Sequence, residues 1–315
     1  MDTRLFVGVD VGGTKVAAGL VDAQGGISAQ VRVAMTADSG AERGLESVLT
    51  AIRQVLVQAS EGVAGIGICA PGPLDPHTGV ILNPPNVPCW RNFPLAEAVG
   101  KLHRVPVAVD NDANAAALAE ARWGAARGCA NVFYATIGTG IGTGIVFDGR
   151  IYHGRTGAAG EGGHVSIDRS GPICNCGKPG CIEVLASGRA IVKRAQQELA
   201  RGTSSTLLEL AAGDACAITG ITVARAAESG DRLANRILLE ATESVALWLS
   251  NIVDLFDPEV LVIGGGAAAL YRPFLDRLRQ RMAEFAVNPR AHEVPVLAAR
   301  YGADSGIAGG AALCV

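Results

Sequence analysis

Between residues 164 and 181 the chain sets one histidine and three cysteines, His164, Cys174, Cys176 and Cys181, the last three within the stretch GPICNCGKPGCIE. Imidazole nitrogen and cysteine thiolate are the ligands zinc takes, and one His with three Cys makes a closed, structural tetrahedral set. The C-x-C-x4-C spacing differs from that of the usual zinc finger, so a disulfide or a redox pair competes with the metal. A redox pair would favour C-x-x-C, which is absent here. Gly177, Pro179 and Gly180 suit the tight backbone of a metal knuckle. Glu183 lies two residues past the last cysteine, where such a loop would hold it.

A second concentration of chemistry is VDNDANAAALAE, residues 109–120. Asp110, Asn111 and Asp112 stand where an apolar strand gives way to an alanine-rich helix. One of the three is expected to cap the helix. A carboxylate at a helix N-terminus is favoured as an anion. Facing a phosphate-binding cleft, it can take a proton from a substrate hydroxyl, the general-base step of phosphoryl transfer. Glu161 and His164, three apart in GAAGEGGHVSID, add a further carboxylate and imidazole.

Three glycine-rich turns could receive phosphate. In DVGGTK, Gly12 and Gly13 expose backbone N–H groups, Thr14 adds a hydroxyl, Lys15 a cation, and Asp10 a carboxylate suited to Mg²⁺. In TIGTGIGTG, Gly138, Thr139 and Gly140 form a similar turn. In VIGGGAAA, Gly264, Gly265 and Gly266 lie where a strand meets a helix, the end of an α/β sheet at which ligands bind. The Walker spacing and the G-x-G-x-x-G dinucleotide spacing are both absent.

The elements that must position these groups are α/β in pattern. Strands are expected at 4–11, 14–22 and 27–35, an amphipathic helix at 41–60, and strands at 63–70 and 105–112 followed by a helix. The layout of 5–27 returns at 131–151: strand, glycine turn, strand, turn. Helices at 187–201 and 231–256, a strand at 259–266, a helix at 270–285, a strand in VPVLAA and a last helix from Ser305 complete the chain. The repeat implies a duplicated α/β domain with a cleft between its halves. One domain is expected at 1–112 with 301–315 packing back on it, and a larger one, carrying the cysteine loop, at 113–300.

Composition narrows the function. Glycine is the outlier, at 41 of 315 residues, about twice the usual ~7%, clustered between apolar runs. The net charge of −3 carries no footprint for nucleic acid or an anionic membrane. No apolar run is long enough to span a bilayer, and the opening residues read as a strand, not a signal peptide. A cytoplasmic protein is expected, where thiols stay reduced. Cys69, Cys89, Cys129, Cys216 and Cys314 are then expected to be small buried apolar residues.

Taken together these motifs resemble the sugar kinases of the ROK family (repressors, open reading frames and kinases). DVGGTK resembles the family's first phosphate motif, IGTGIGTGIV its second, and LSNIVDLFDPEVLVIGGG its adenosine segment. EGGH followed by CNCGKPGCIE resembles its zinc and sugar signature. The resemblance implies two actin-like ATPase (ribonuclease H-like) domains with sugar and ATP in the cleft between them. It implies Asp112 as catalytic base, with Asn86, Asn111, Asp112, Glu161, His164 and Glu183 at the sugar. It implies one structural Zn²⁺ per chain on His164, Cys174, Cys176 and Cys181, Mg²⁺ with ATP, and a homodimer. His164 would serve twice, one ring nitrogen on the metal and the other on a sugar hydroxyl. The expected activity is ATP-dependent phosphorylation of a hexose 6-hydroxyl, with glucose first and N-acetylmannosamine, N-acetylglucosamine, mannose or fructose as alternatives. Family repressors carry a DNA-binding segment ahead of the first phosphate motif, which here begins at Asp10, so a kinase and not a repressor is expected. A sensor without activity would be expected to lack Asp112 or the glycine turns, and all are present.

Overall fold

The computed structural model describes residues 2–36, 40–60 and 62–315. Strand β1 (Leu5–Val11) is apolar on both faces and almost wholly buried. It pairs antiparallel with β2 (Lys15–Asp22), which pairs antiparallel with β3 (Ile27–Ala34). In β3 every second residue turns to solvent, the period of a half-covered edge strand. Helix α1 (Ala41–Leu56) buries Val48, Leu49, Ile52 and Val55 in the core of this sheet and ends at Leu56, short of the expected residue 60; Val57 already stands in solvent. Strand β4 (Val63–Ala70) runs parallel to β1. A small sheet of β5 (Leu74–Asp75), β6 (Val80–Ile81) and β7 (Phe93–Pro94) then leads to helix α2 (Leu95–Gly100). Strand β8 (Val107–Asn111) runs parallel to β4 and passes without a loop into α3 (Asp112–Arg122).

The pattern then repeats with β9 (Val132–Ile137), β10 (Ile141–Phe147) and β11 (Arg150–Ile151). Helices α4 (Ile182–Ala186), α5 (Gly188–Ala200), α6 (Leu207–Leu210), α7 (Gly220–Glu228) and α8 (Arg232–Phe256) follow. Strand β12 (Val260–Gly264), helix α9 (Leu275–Phe285), strand β13 (Val296–Ala298) and helix α10 (Ser305–Ala312) complete the fold. The segment expected to be helical from 270 is a 3-10 stretch containing Pro273 until α9 begins. The strand orders are β3-β2-β1-β4-β8 and β11-β10-β9-β12-β13. Strand for strand, this is one topology used twice.

By contact density one unit comprises 1–134, 143–160 and 299–315, and the other 135–142 and 161–298. The sequence-based division after Asp112 therefore differs from the observed one. Helix α3 stays with the first unit because it packs on α10, where Gly309 lets the two backbones approach at Ala115. Helix α10 in turn lies flat on β1 and β4. A Cβ at Gly8 or at Gly67 would stand 1.8 Å from a carbonyl oxygen of α10, so neither position accepts a side chain.

In the second unit, Asp231 caps the long helix α8, its Oδ1 accepting the Ala234 N–H at 2.9 Å. Among the described residues no helix is long and apolar enough to cross a membrane. Of the five cysteines outside the cluster, Cys69 is buried as expected, Cys89, Cys129 and Cys314 are half-buried, and Cys216 is exposed. Cys216 sits in a short 3-10 turn (Ala215–Ala217) at the surface, with Asp214 and Ala217 beside it also exposed.

Candidate active site

In the first unit the turn between β1 and β2 is closed by the Gly12 N–H donating to Lys15 O at 2.9 Å. The loop carrying Asn86 lies over it: a Cβ on Gly13 would meet the Asn86 carbonyl oxygen at 2.6 Å. Thr14, Lys15 and the Asn86 side chain are exposed beside this turn. Asp10 precedes it on β1. Burial, and then the charge of Asp112, push the Asp10 carboxyl up to about 6, against the opposing pull of Lys15 and Arg32. A carboxylate held there against its own preference is suited to a divalent cation, which relieves both costs.

The β8–α3 junction sorts the three polar residues by hydrogen bonding. Asn111 is the cap: its Oδ1 accepts the N–H groups of Ala113 at 2.9 Å and Asn114 at 3.4 Å. That commits the amide oxygen and leaves the NH2 as its outward donor. Asp110 is buried, its Oδ1 accepting Asn111 N–H at 2.7 Å and Asn114 Nδ2 at 3.1 Å, with His153 Nε2 2.6 Å from its Oδ2. Asp112 is the exposed carboxylate of the three, on the first turn of α3. It accepts the Ala113 N–H at 2.8 Å, which orients the group without covering it.

In the second unit, Glu161 is exposed at the start of the 3-10 turn Gly162–His164, which is closed by His164 N–H donating to Glu161 O at 3.0 Å. The His164 Nδ1 lies 3.5 Å from Cys174 Sγ, Cys176 Sγ lies 3.5 Å from Cys181 Sγ, and the four ligand atoms lie within 4.8 Å of one another. Zinc with thiolates at ~2.3 Å puts its sulfurs about 3.8 Å apart, so the donor set fits a tetrahedral zinc ion. Desolvation and the two neighbouring thiols push Cys181 up to about 12, crowding that a dication relieves. The backbone N–H of Lys178 draws Cys176 down. Because Nδ1 faces the sulfurs, Nε2 is the ring nitrogen left for another partner. The cysteines are unbridged.

Glu183 is the second residue of α4, two past Cys181, and its Oε2 accepts the Ile141 N–H at 2.9 Å. Gly140 gives the carboxylate its room: a Cβ there would stand 2.3 Å from that oxygen. The other end of the same turn, Gly138 and Thr139, lines a cavity of about 880 Å³ with Gly266, Arg189, Lys193 and Thr219. The volume suits a ligand the size of a nucleoside triphosphate. Gly264 is buried at the end of β12, and Gly265 packs on the end of β9, so of those three glycines Gly266 alone lines the cavity.

Arg189 and Lys193 on α5, and Thr219 at the start of α7, were missed by sequence reasoning. The Thr219–Thr222 capping box could have signalled the last. His153 and Asn114 were missed too.

The repeated strand order defines a duplicated α/β architecture. The ROK family model matches residues 6–315, and the chain belongs to the ROK family. Its fold is that of the actin-like ATPases. The crystal structure of a ROK family glucokinase from Streptomyces griseus, in complex with glucose and AMPPNP, is similar with a TM-score of 0.82 at 35% identity, covering 98% of each chain. The glucokinase of Thermotoga maritima is 34% identical over 98% of this chain and 96% of its own. The N-acetylmannosamine kinase of Escherichia coli O157:H7 is 33% identical over 97% of this chain and 96% of its own.

Proposed function

We propose that the protein is an ATP-dependent hexose kinase acting on the 6-hydroxyl, with glucose as the substrate and glucose 6-phosphate as the product. One observation carries the assignment: of the three polar residues at the β8–α3 junction, Asp112 alone keeps an exposed carboxylate, while Asp110 is tied down inside and Asn111 caps the helix. Asp112 accepts the proton of the 6-hydroxyl as its oxygen bonds to the γ-phosphorus. The bond from that phosphorus to the β-phosphate oxygen breaks, and ADP leaves.

Asn111 donates to the sugar through its amide, and Asn86, Glu161, Glu183 and His164 Nε2 meet further hydroxyls. Lys15, Thr14 and the N–H of Gly13 face phosphate in the turn that the Gly12 N–H closes, as do Gly138, Thr139 and Gly140, while the cavity beside α5 takes the nucleoside. Asp10 serves Mg²⁺, which when bound neutralises phosphate charge. His164, Cys174, Cys176 and Cys181 hold zinc, which fixes the imidazole and Glu183 in place. The protein works as a homodimer in the cytoplasm under the same assignment, with neither nucleic acid nor membrane as partner.

A coupled ADP-release assay over a hexose panel tests this. Glucose-dependent turnover is expected, and Asp112→Ala should lower kcat at least ~10²-fold. Near-normal turnover of that variant would remove Asp112 from the role of base. The second substrate class is an N-acetylated hexosamine, favoured by the likeness to an N-acetylmannosamine kinase. Turnover of that sugar without turnover of glucose would make it the substrate. A DNA gel shift at physiological salt separates a regulator from the enzyme.

A further inference from the structure

We propose that His153, acting through Asp110, is a positioning residue for the sugar-facing end of α3. His153 lies just beyond β11, and its ring reaches back to the β8–α3 junction, with Nε2 at 2.6 Å from Asp110 Oδ2. Asp110 is 3% exposed. A carboxylate that deep needs a partner for each oxygen, because an unmatched buried charge is costly. Its Oδ1 is committed to Asn111 N–H and to the Asn114 amide. The His153 ring is the partner seen at the other oxygen.

Without that ring, Oδ2 must turn to find water or a proton. The same rotation pulls Oδ1 off the N–H of Asn111. That N–H belongs to the residue whose side chain caps α3 and immediately precedes Asp112, so the disturbance arrives at the two residues proposed to meet the sugar.

The backbone of His153 adds a second tie. Its carbonyl accepts the Ala159 N–H at 3.1 Å, closing the loop that runs into Gly160 and on to Glu161. Asn114 is 4% exposed, and its Oδ1 has no hydrogen-bond partner. It faces Gly160, where a Cβ would stand 3.5 Å away. One imidazole thus braces the Asn111–Asp112 junction through its ring and shapes the approach to Glu161 through its backbone. Its other neighbour is the His77 ring, edge-on with centroids 5.8 Å apart.

The assignment rests on the kinase function proposed above, so wild-type turnover is measured first. No hexose-dependent ADP release by the wild type would sink the kinase function itself. Given turnover, His153→Ala should raise the hexose KM at least about tenfold while the ATP KM stays within about twofold. His153→Gln, which returns an N–H donor near the Nε2 position, should recover most of the loss. An unchanged hexose KM in His153→Ala overturns the proposal. So does an equal rise in both KM values, the mark of general loosening. If His153→Ala does not fold, His153→Gln decides alone: a near wild-type hexose KM supports the proposal, and a raised one overturns it.

Discussion

The Glu183 carboxylate accepts the Ile141 N–H at 2.9 Å and occupies the space a side chain on Gly140 would need. One end of α4 is thereby fastened to the turn between β9 and β10, whose other residues form the lip of the nucleotide-sized cavity. Cys181 directly precedes α4, so the cysteine loop, a proposed sugar ligand and a proposed phosphate turn form one connected piece.

Gly140→Ala tests that connection. The obstructing atom is the far end of a flexible side chain, so the fold should survive while Glu183 moves aside. We expect a melting temperature within a few degrees of wild type (about 1 kcal/mol or less) and a loss of ~10-fold or more in kcat/KM, from misplacement of a positioned group. Unchanged kinetics would separate Glu183 from the sugar.

Asp10→Asn should make the protein more stable while abolishing turnover. The folded carboxyl value of about 6 lies above the ordinary 3.8, so folding opposes ionisation; the cost is absent below about pH 4 and complete above about pH 6. Removing the charge should therefore stabilise the Mg²⁺-free protein by on the order of 3 kcal/mol at pH 8 and by little at pH 4. Melting curves at the two pH values measure this, and a destabilised variant at pH 8 would contradict the electrostatic account.

Elemental analysis of purified protein should find about one zinc per chain. Cys176 is the exposed ligand, so Cys176→Ser removes a thiolate without opening a core cavity. We expect loss of the metal, a lower melting temperature and weaker hexose binding, with ATP binding retained. The stability effect should fall well below the ~10–16 kcal/mol of isolated zinc peptides, because this unit has an apolar core of its own. Active protein without zinc would refute the site.

Asp231→Ala should cost about 2 kcal/mol of stability and leave kinetics unchanged, for its side-chain partners Ser205, Thr206 and Ala234 are not among the site residues. Desolvation alone would raise this carboxyl, but the N–H groups of Ala234 and Thr206 and the hydroxyls of Ser205 and Thr206 hold it below its usual range. Its contribution is therefore present above the ordinary value of 3.8 and fades as pH falls through the lowered one. Chemical denaturation of wild type and variant at neutral and acid pH should show the gap closing.

Local chemistry was legible in the sequence and long-range pairing was not. The turns at Gly12 and Gly138, the strands around them and the grouping of His164 with Cys174, Cys176 and Cys181 follow from residue types a few positions apart. The roles of Asp110, Asn111 and Asp112 could not be separated, because what separates them is bonding to their surroundings, including a ring 43 positions away at His153. The cavity wall formed by Arg189 and Lys193 was invisible for the same reason: on α5 they look like ordinary solvated charges. Cys216 misled because thiols are so often buried, whereas its own neighbours Asp214 and Ala215 form a surface turn. The boundary at Asp112 misled because the packing of α3 on α10 joins segments far apart in the chain.

That packing also governs the order in which the molecule can be completed. The faces of β1 and β4 at Gly8 and Gly67 match a helix made from residues 305–312, and the apolar cluster around Phe6, Val21 and Trp123 is closed by Ile307, Ala308 and Ala311 of the same helix. Asp10 acquires its neighbour Gly306 from there as well. On a growing chain, the opening strands can pair early, yet one face of their sheet stays wet until some three hundred residues have been made. The phosphate motif written first is among the last to be finished, and an interrupted chain would present its bare sheet to chaperones and proteases.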